Sequence, residues 1–203
     1  MGKLFLVSTP IGNMDDITFR AIQTLKDSDV IFCENTRVSR KLFEKYEIKS
    51  QYDSYNAHAG DSKTNKIFEM LREGKQVSII SDAGTPTLSD PGSKIVADVW
   101  EEFDEEIKNG EVEVVAIPGA SALLTGFATS GFFGGEFTFR GFLPHKKGRE
   151  TIFNEIRDDS RINIFYESPH RIMKCLNSLS DILEEDRTVM VCKELTKIHE
   201  TKI

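Results

Sequence analysis

Short apolar runs alternate with amphipathic stretches through the first half of the chain. The short runs have the length and the β-branched character of buried strands, whereas the amphipathic stretches repeat apolar residues at helical spacing. The predicted strands are residues 4–8, 29–33, 51–55, 76–80 and 112–116. The predicted helices are a segment capped by Asp16 that runs to Leu25, residues 41–46, residues 66–72 and a helix starting with residues 94–100. Strands that alternate with helices favour an α/β fold, with a parallel sheet covered on both faces.

The connection between the fourth predicted strand and the next helix is long. It spans residues 81–92, with the sequence SDAGTPTLSDPG, whereas an ordinary strand-to-helix connection takes about 2–6 residues. Gly84 permits a positive φ and a close approach of the backbone to a ligand. Asp82 and Asp90 can accept hydrogen bonds. A loop of this kind at the carboxyl end of a parallel strand is typical of a ligand-binding turn, and the alternative is a long surface loop.

After Pro118 the pattern changes, and we place a domain boundary there. The first predicted domain is residues 1–117 and the second is residues 118–203. In the second, the predicted elements are a small-residue helix, an aromatic strand, a middle strand, a helix and a last strand, at residues 120–130, 132–142, 162–166, 169–183 and 188–194. Residues 196–203 resemble the start of one more strand. We therefore expect the sheet of the second domain to be incomplete, so that this domain is truncated.

The composition is that of an ordinary globular protein, with 39% hydrophobic and 29% charged residues. The three cysteines, Cys33, Cys175 and Cys192, are widely spaced in apolar surroundings. They indicate reduced core thiols and a cytoplasmic protein rather than disulfides. The net charge of −7 argues against broad, sequence-blind nucleic-acid binding but leaves room for a local basic patch.

Several common catalytic motifs are missing from the sequence. There is no GxGxxG after the first strand, no GxxxxGK[ST] and no GxSxG. The four histidines have no HExxH or CxxC companion, so we predict no metal site. What remains is a set of polar turns that follow the predicted strands, at residues 9–13, 34–37, 56–58, 81–92 and 118–121. The carboxyl ends of parallel strands converge, so these turns are expected to line one cleft, and residues 167–171 follow a strand of the second domain in the same way.

Eight short sequence motifs, which extend in order along nearly the whole chain, resemble the motifs of one protein family. They are STPIGNMDDIT (8–18), ENTR (34–37), SDAGTP (81–86), SDPG (89–92), PGASA (118–122), GFLP (141–144), FYESPHR (165–171) and KELTK (193–197). Because of these motifs, the chain resembles the ribosomal RNA small subunit methyltransferase I family, which has the tetrapyrrole-methylase fold.

The resemblance implies methyl transfer from S-adenosylmethionine to the 2′-hydroxyl of a cytidine ribose in the decoding region of 16S rRNA. It also implies a homodimer, with the cofactor in a cleft between two α/β domains. The sequence departs from the family pattern at Asn35, where the family usually has Asp, and at residues 56–59, which replace a more polar run. The family also continues beyond Ile203. The first two departures bear on the acceptor site and the third on independent activity.

The resemblance implies a set of cofactor contacts, carried over by motif. They are Ile11, Asp82, Thr85, Ser121, Ala122 and Tyr166. Asp82 and Thr85 suit the polar atoms of a methionine or a ribose, whereas Ile11 and Tyr166 suit a flat adenine. The alternative for Asp82 is a turn-stabilising role, and the alternative for Ser121 is capping of the following helix.

A general base would help the acceptor oxygen to react, and the candidates are Glu34, His58, Glu167 and His170. Arg37 is a further catalytic candidate, although Glu34 and Arg37 can also form a structural ion pair. The sequence does not choose between them.

Basic residues in two segments are the predicted RNA contacts. They are Arg40 and Lys41, together with Lys146, Lys147, Arg149 and Arg171; His145 and Arg37 lie beside them. The alternative is a solvated charged surface. Two further functions stay open: a methyltransferase of the same fold that acts on a tetrapyrrole or another small acceptor, and a non-catalytic module that binds cofactor and RNA.

Overall fold

The computed structural model describes residues 1–55, 61–89, 92–184 and 186–203. Internal contacts divide the chain into two compact units, Met1–Ala122 and Leu123–Ile203. The turn at residues 118–121 belongs to the first unit. Within the described ranges, no helix is both long and apolar enough to cross a membrane.

The first unit is built on a parallel five-stranded sheet, as the sequence predicts. The strands are β1 (Gly2–Val7), β2 (Val30–Cys33), β3 (Gln51–Ser54), β4 (Gln76–Ile80) and β5 (Val112–Ile117). Their order across the sheet is β3-β2-β4-β1-β5, and every pairing is parallel.

Helices connect the strands of this unit. They are α1 (Phe19–Asp27), α2 (Thr36–Tyr46), α3 (Asp61–Arg72), α4 (Gly92–Glu102) and α5 (Asp104–Lys108), and a short 3₁₀-helix covers Met14–Asp16. The predicted cap at Asp16 is wrong. Thr18 begins α1 instead, because its hydroxyl accepts the N–H of Ala21 at 3.0 Å. Asn13 caps the 3₁₀-helix, since its Oδ1 accepts the N–H of Asp15 at 3.1 Å.

Both faces of the sheet are buried against helices. On one face, Leu4, Val77 and Ile79 belong to a cluster with residues of α3 and α4, including Ile95 and Val99. On the other face, strand residues such as Val7 and Ile80 belong to a cluster with residues of α1 and α2. Burial on both faces explains why the central strands β2 and β4 are largely apolar rather than alternating, whereas β3 (QYDS), at the edge of the sheet, is mostly exposed.

The strands β1 and β4 are neighbours whose following helices lie on opposite faces of the sheet. α1 packs in the cluster of one face and α4 in the cluster of the other. This arrangement is the topological switch point of an open α/β sheet, the position at which such sheets commonly bind their ligands.

The second unit contains α6 (Ala122–Thr129), β6 (Phe137–Phe142), α7 (Arg149–Asp158), β7 (Ile162–Tyr166), α8 (Ile172–Ser180), β8 (Cys192–Lys193) and β9 (Thr201–Lys202). β6 and β7 are parallel, and β8 and β9 are antiparallel. The core of this unit consists of Leu143, Phe153, Ile156, Cys175 and Leu179.

Three predictions for the second unit need correction. The aromatic strand predicted at 132–142 begins only at Phe137. The predicted strand at 188–194 is wrong in extent, because within the described residues only positions 191–193 pair, with residues 201–203. Val191 exchanges backbone hydrogen bonds with Ile203 at 2.7 and 3.0 Å, and β8 follows directly. The helix predicted at 169–183 is shorter, because a turn closed by the Arg171 N–H on the Ser168 carbonyl, at 2.9 Å, precedes it.

We expect Val99→Ala to destabilise the first unit by roughly 1.5–3 kcal/mol, because Val99 is 0% exposed. Val38→Ala on α2 is the matched control. Val38 is 41% exposed, so its truncation should change stability by less than about 0.5 kcal/mol. Urea unfolding followed by the fluorescence of the single tryptophan, Trp100, would measure both. Equal effects of the two substitutions would contradict the packing of α4 on the sheet.

Candidate functional site

The turn after β1 and the loop after β4 are joined at the switch point. Thr9 and Gly84 form an antiparallel bridge, in which each N–H donates to the carbonyl of the other, at 2.9 and 3.0 Å. The Thr9 hydroxyl donates to the Ser81 carbonyl at 3.3 Å. Gly84 has a φ of +84°, and a Cβ at this position would lie 3.3 Å from Cγ2 of Ile11. A glycine is therefore required where the loop folds back over Ile11.

A chain of hydroxyl groups ties three strand ends together. The Ser8 hydroxyl donates to Oγ1 of Thr85 at 3.1 Å, and the Thr85 hydroxyl donates to the Ala120 carbonyl at 3.2 Å. A Cβ at Gly119 would lie 2.8 Å from Cβ of Ser8, so the turn after β5 also packs closely on β1. Thr85 thus fixes the loop, and a direct contact between Thr85 and a cofactor stays a prediction.

Glu34 and Asp82 are linked across the ends of β2 and β4. Oε2 of Glu34 accepts the backbone N–H of Asp82 at 3.3 Å. The backbone N–H of Asn35, next to Glu34, opposes the rise in the pKa of the Asp82 carboxyl. We call this arrangement the Glu34–Asp82 clasp. It gives Glu34, predicted as a candidate base, a role in holding the loop.

Asn35 preserves the helix start where the family usually has Asp. Its Oδ1 accepts the N–H of Arg37 at 3.1 Å and caps α2. The amide oxygen of Asn35 therefore serves the same purpose as a carboxylate oxygen. Arg37 is exposed at the start of this helix.

Two buried oxygens at this edge have no hydrogen-bond partner within the described residues. They are Oδ1 of Asp82 and Oγ of Ser121. Burial raises the pKa of Asp82, and the N–H of Asn35 only partly opposes that shift. Ser121 is 6% exposed, and its hydroxyl does not act as a side-chain cap of α6. An unpaired buried polar group costs about 1–3 kcal/mol, so two of them together indicate a place where a ligand supplies donors.

The loop after β4 also contains strained backbone. Thr87 and Ser89 have φ values of +81° and +64°, in the left-handed region that favours glycine. Each such residue costs of the order of 1–3 kcal/mol and persists only where surrounding contacts hold it. The bridge to Thr9 and the Glu34–Asp82 clasp fix the first residues of the same loop.

In the second unit, two guanidinium groups surround one carboxylate. NH2 of Arg149 lies 2.7 Å from Oε2 of Glu167, and NH2 of Arg171 lies 2.7 Å from Oε1. We call this the Arg149–Glu167–Arg171 cluster. Burial by itself disfavours the charged carboxylate, but the hydrogen bonds from Arg149 and Ser168 outweigh it and hold the pKa of Glu167 below its usual range. A carboxylate held in this way is a poor general base.

Tyr166, at the end of β7, lies in an aromatic group. Its ring centroid is 5.2 Å from that of Phe139 and 5.3 Å from that of Phe142. Burial raises the pKa of Tyr166, and the backbone N–H of Leu123, at the start of α6, opposes that shift. Its predicted contact with a cofactor is not tested by this packing.

The remaining predicted site residues are mostly exposed, or they lie outside the residues that the structure describes. Lys41, Lys146, Lys147 and His170 are exposed, and Arg40 is paired with Glu44 at 2.7 Å. Arg149 differs from these, since its side chain is only 11% exposed. The predicted residues at 56–58, including His58, and at 90–91 lie outside the described residues. Among the described residues, no group of three or more His, Cys, Asp or Glu side chains is arranged to hold a metal ion.

The sequence pattern alone did not reveal which residues hold the strand ends together. These residues are Ser8, Gly119 and, through its carboxylate, Glu34, although each lies within or beside a predicted polar turn. Their partners are 77, 111 and 48 positions away, respectively. Only the order of the strands in the sheet brings these positions into contact.

A family model described as Tetrapyrrole (Corrin/Porphyrin) Methylases matches residues 3–203. The chain therefore belongs to this family of methyltransferases. Solved structures show the same fold. The methyltransferase CobJ superposes with a TM-score of 0.70 at 19% identity, covering 100% of this chain and 85% of that one. Uroporphyrin-III C-methyl transferase from Thermus thermophilus, complexed with S-adenosyl homocysteine, has a TM-score of 0.63 at 16% identity, with coverage of 100% and 87%.

Within the family, the chain is similar to the ribosomal RNA small subunit methyltransferase I of two bacteria. It is 42% identical to the Thermotoga maritima protein over 200 residues, which are 98% of this chain and 86% of the relative. It is 43% identical to the Bacillus subtilis protein over 201 residues, which are 98% of this chain and 66% of the relative. The resemblance and the fold class inferred from the sequence are confirmed.

We expect Asp82 and Asp53 to affect stability with opposite dependence on pH. The pKa of Asp82 is raised, so its contribution to the free energy of unfolding, relative to Asp82→Asn, should be greatest below about pH 4 and decline as the pH rises. A hydrogen bond from Lys63 lowers the pKa of Asp53, so the contribution of Asp53, relative to Asp53→Asn, should be present above about pH 4 and lost below it. Urea unfolding between about pH 3 and 7, followed by Trp100 fluorescence, would measure both. If the contributions of Asp82 and Asp53 to the free energy of unfolding changed with pH in the same direction, the burial of the Asp82 carboxyl would be contradicted.

We expect Glu167→Gln to destabilise the second unit by about 3–5 kcal/mol near neutral pH, because two guanidiniums lose the charge between them. The pKa of Glu167 is lowered, so this difference should be present above about pH 4.3 and shrink as the pH falls. Hydrogen exchange of the Cys175 amide in α8 reports the opening of this unit. The control is Asp158→Asn in the same unit, which breaks an exposed ion pair with Arg157 and should change the exchange little. A similar small loss in both variants would show that the cluster does not stabilise the unit.

Proposed function

We propose that this chain is an S-adenosylmethionine-dependent methyltransferase of small-subunit ribosomal RNA. The similarity to two proteins named ribosomal RNA small subunit methyltransferase I supports the choice of RNA as the acceptor. The structural observation that carries the cofactor site is the pair of buried oxygens, Asp82 Oδ1 and Ser121 Oγ, which lack partners in the described part of the chain.

The residues at this edge fit the cofactor. Oδ1 of Asp82 can accept hydrogen bonds from an ammonium group or from ribose hydroxyls, and Oγ of Ser121 can donate or accept. Gly84 lets the backbone come close, and Ile11 offers an apolar surface beside it. Ala122 and Tyr166 are also proposed to contact the cofactor, and only the family resemblance supports them. When bound, S-adenosylmethionine supplies an electrophilic methyl group on a sulfonium centre.

The finer proposal is that the acceptor is the 2′-hydroxyl of a cytidine ribose in the decoding region. The acceptor oxygen gains the methyl group and loses its proton. Of the candidates for that proton, Glu167 is the poorest, because two guanidiniums lower its pKa, and Glu34 is engaged in the Glu34–Asp82 clasp. The candidates that remain are His170, which is exposed, and His58, which lies outside the described residues.

RNA contacts are proposed for the exposed basic residues of both units. They are Arg37, Arg40, Lys41, Lys146 and Lys147. A homodimer is also part of the proposal, on the strength of the resemblance. A tetrapyrrole acceptor is the second candidate, because the family and the uroporphyrin-III C-methyl transferase structure are named for such methylases. The identities of 16–19% to those structures support the fold only, whereas the relatives at 42–43% favour RNA.

Methyl-labelled S-adenosylmethionine, offered with small subunits, free small-subunit RNA or uroporphyrinogen III, would test the proposed reaction. We expect label in RNA, on a cytidine ribose, and none in the tetrapyrrole. Label on a base would contradict the 2′-hydroxyl, and label in the tetrapyrrole alone would contradict the RNA acceptor.

The cofactor site is tested separately by binding. We expect Asp82→Ala to weaken S-adenosylhomocysteine binding by roughly 10- to 150-fold, the loss expected for a charge-assisted hydrogen bond of about 1.5–3 kcal/mol. Asp27→Ala is the control, because Asp27 is exposed at the end of α1 and bonds only to Gln23 among its described side-chain neighbours. Calorimetry on both folded variants gives the affinities. Equal affinities would remove Asp82 from the site.

A further inference from the structure

The charges of the Arg149–Glu167–Arg171 cluster do not balance. Two guanidiniums share one carboxylate, which is only 2% exposed. Both oxygens of Glu167 are already occupied. Oε1 accepts from Arg171 and from the Ser168 N–H at 2.7 Å, and Oε2 accepts from Arg149. The cluster therefore carries a net charge of about +1 in a largely buried place, where an uncompensated charge is expensive.

One hydrogen-bond donor of this cluster is unpaired within the described part of the chain. Nε of Arg171 is buried and has no hydrogen-bond partner among the residues that the structure describes. The same guanidinium donates to Glu167 through NH2 and makes a long contact of 3.5 Å from NH1 to the Leu143 carbonyl. Arg149, by contrast, is held on several sides, since NH1 donates to the Pro144 carbonyl at 3.0 Å and its guanidinium stacks on Phe153.

The surroundings of Arg171 are open and positive. Its side chain is 22% exposed, twice the 11% of Arg149, so a ligand can reach it. Arg171 precedes α8 and Gly148 precedes α7, and neither helix start is capped by a side-chain hydrogen bond. Both helices begin beyond the carboxyl ends of the parallel strands β6 and β7, and the exposed Lys146 and Lys147 precede α7. Free N–H groups at helix starts add to the positive potential there.

We propose that the Arg149–Glu167–Arg171 cluster holds a backbone phosphate of the RNA, with Arg171 as the contacting residue. Glu167 orients the two guanidiniums, and the phosphate supplies the negative charge and the acceptor that the carboxylate cannot. Guanidinium groups pair well with phosphate oxygens because several N–H donors lie in one plane. This inference rests on the proposed RNA acceptor, but it concerns binding and not methyl transfer.

The test is the salt dependence of RNA binding by the full chain, with a labelled single-stranded oligonucleotide of decoding-region sequence as the probe. We expect Arg171→Gln to weaken binding about tenfold at low salt and to reduce the slope of log K against log salt by about 0.7, the value for one lost phosphate contact on a single strand. Arg157→Gln is the control, because it removes the same charge from an exposed position of α7. Affinity for S-adenosylhomocysteine should stay unchanged in both variants.

Arg171→Lys guards against a failure of folding, because it keeps the charge beside Glu167. We expect this variant to keep the salt slope and to lose part of the affinity, since one ammonium cannot serve a carboxylate and a phosphate as a guanidinium does. Wild-type affinity and slope in folded Arg171→Gln, or an equal loss in Arg157→Gln, would overturn the site. Normal RNA binding with no methyl transfer by the wild type would instead count against the proposed function.

Discussion

Burial of a parallel sheet on both faces is the constraint on which the first unit depends. The apolar runs of β1 and β4 can be covered only if α1 and α4 lie on opposite faces, and the hydrophobic clusters show that they do. The chain therefore runs from β1 and β4 toward opposite faces of the sheet, beyond the Thr9–Gly84 bridge at the carboxyl edge. The loop at residues 81–89 lies at this topological switch point, which is where open α/β sheets commonly bind ligands.

Hydrogen bonds at this edge then decide which atoms are left for a ligand. The Thr9–Gly84 bridge, the hydroxyl chain through Thr85 and the Glu34–Asp82 clasp satisfy most of the polar groups near the strand ends. They also hold a strained loop in one conformation. Within the described residues, Oδ1 of Asp82 and Oγ of Ser121 remain buried and unpaired. Such atoms lower the stability of the free protein, and a bound cofactor would recover that stability.

The sequence predicted the sheet well because four largely apolar runs and the weaker strand at residues 51–55 are separated by amphipathic helices, a pattern that depends on local chemistry alone. The sequence-based prediction failed at two places. Thr18 and Asp16 can both cap a helix, so the pattern did not decide between them. The apolar run near Val191 pairs with only a short strand, so its predicted length was wrong. The roles of Glu34 and Arg149 were beyond local reasoning, because Asp82 and Glu167 lie 48 and 18 positions from them. Residue type predicted catalysis for Glu34 and RNA binding for Arg149, and the tertiary contacts add that Glu34 holds the loop and that Arg149 pairs with Glu167.

The central claim is that the cofactor binds at the carboxyl ends of β1 and β4, beside Asp82 and Ser121. Hydrogen exchange of the full chain with and without saturating S-adenosylhomocysteine tests it most directly. The account predicts that amides at residues 82–85 and 119–121 gain protection, because the ligand completes Asp82 and Ser121 and holds the strained loop. Unchanged exchange at these residues, with protection gained only elsewhere in the chain, would contradict it.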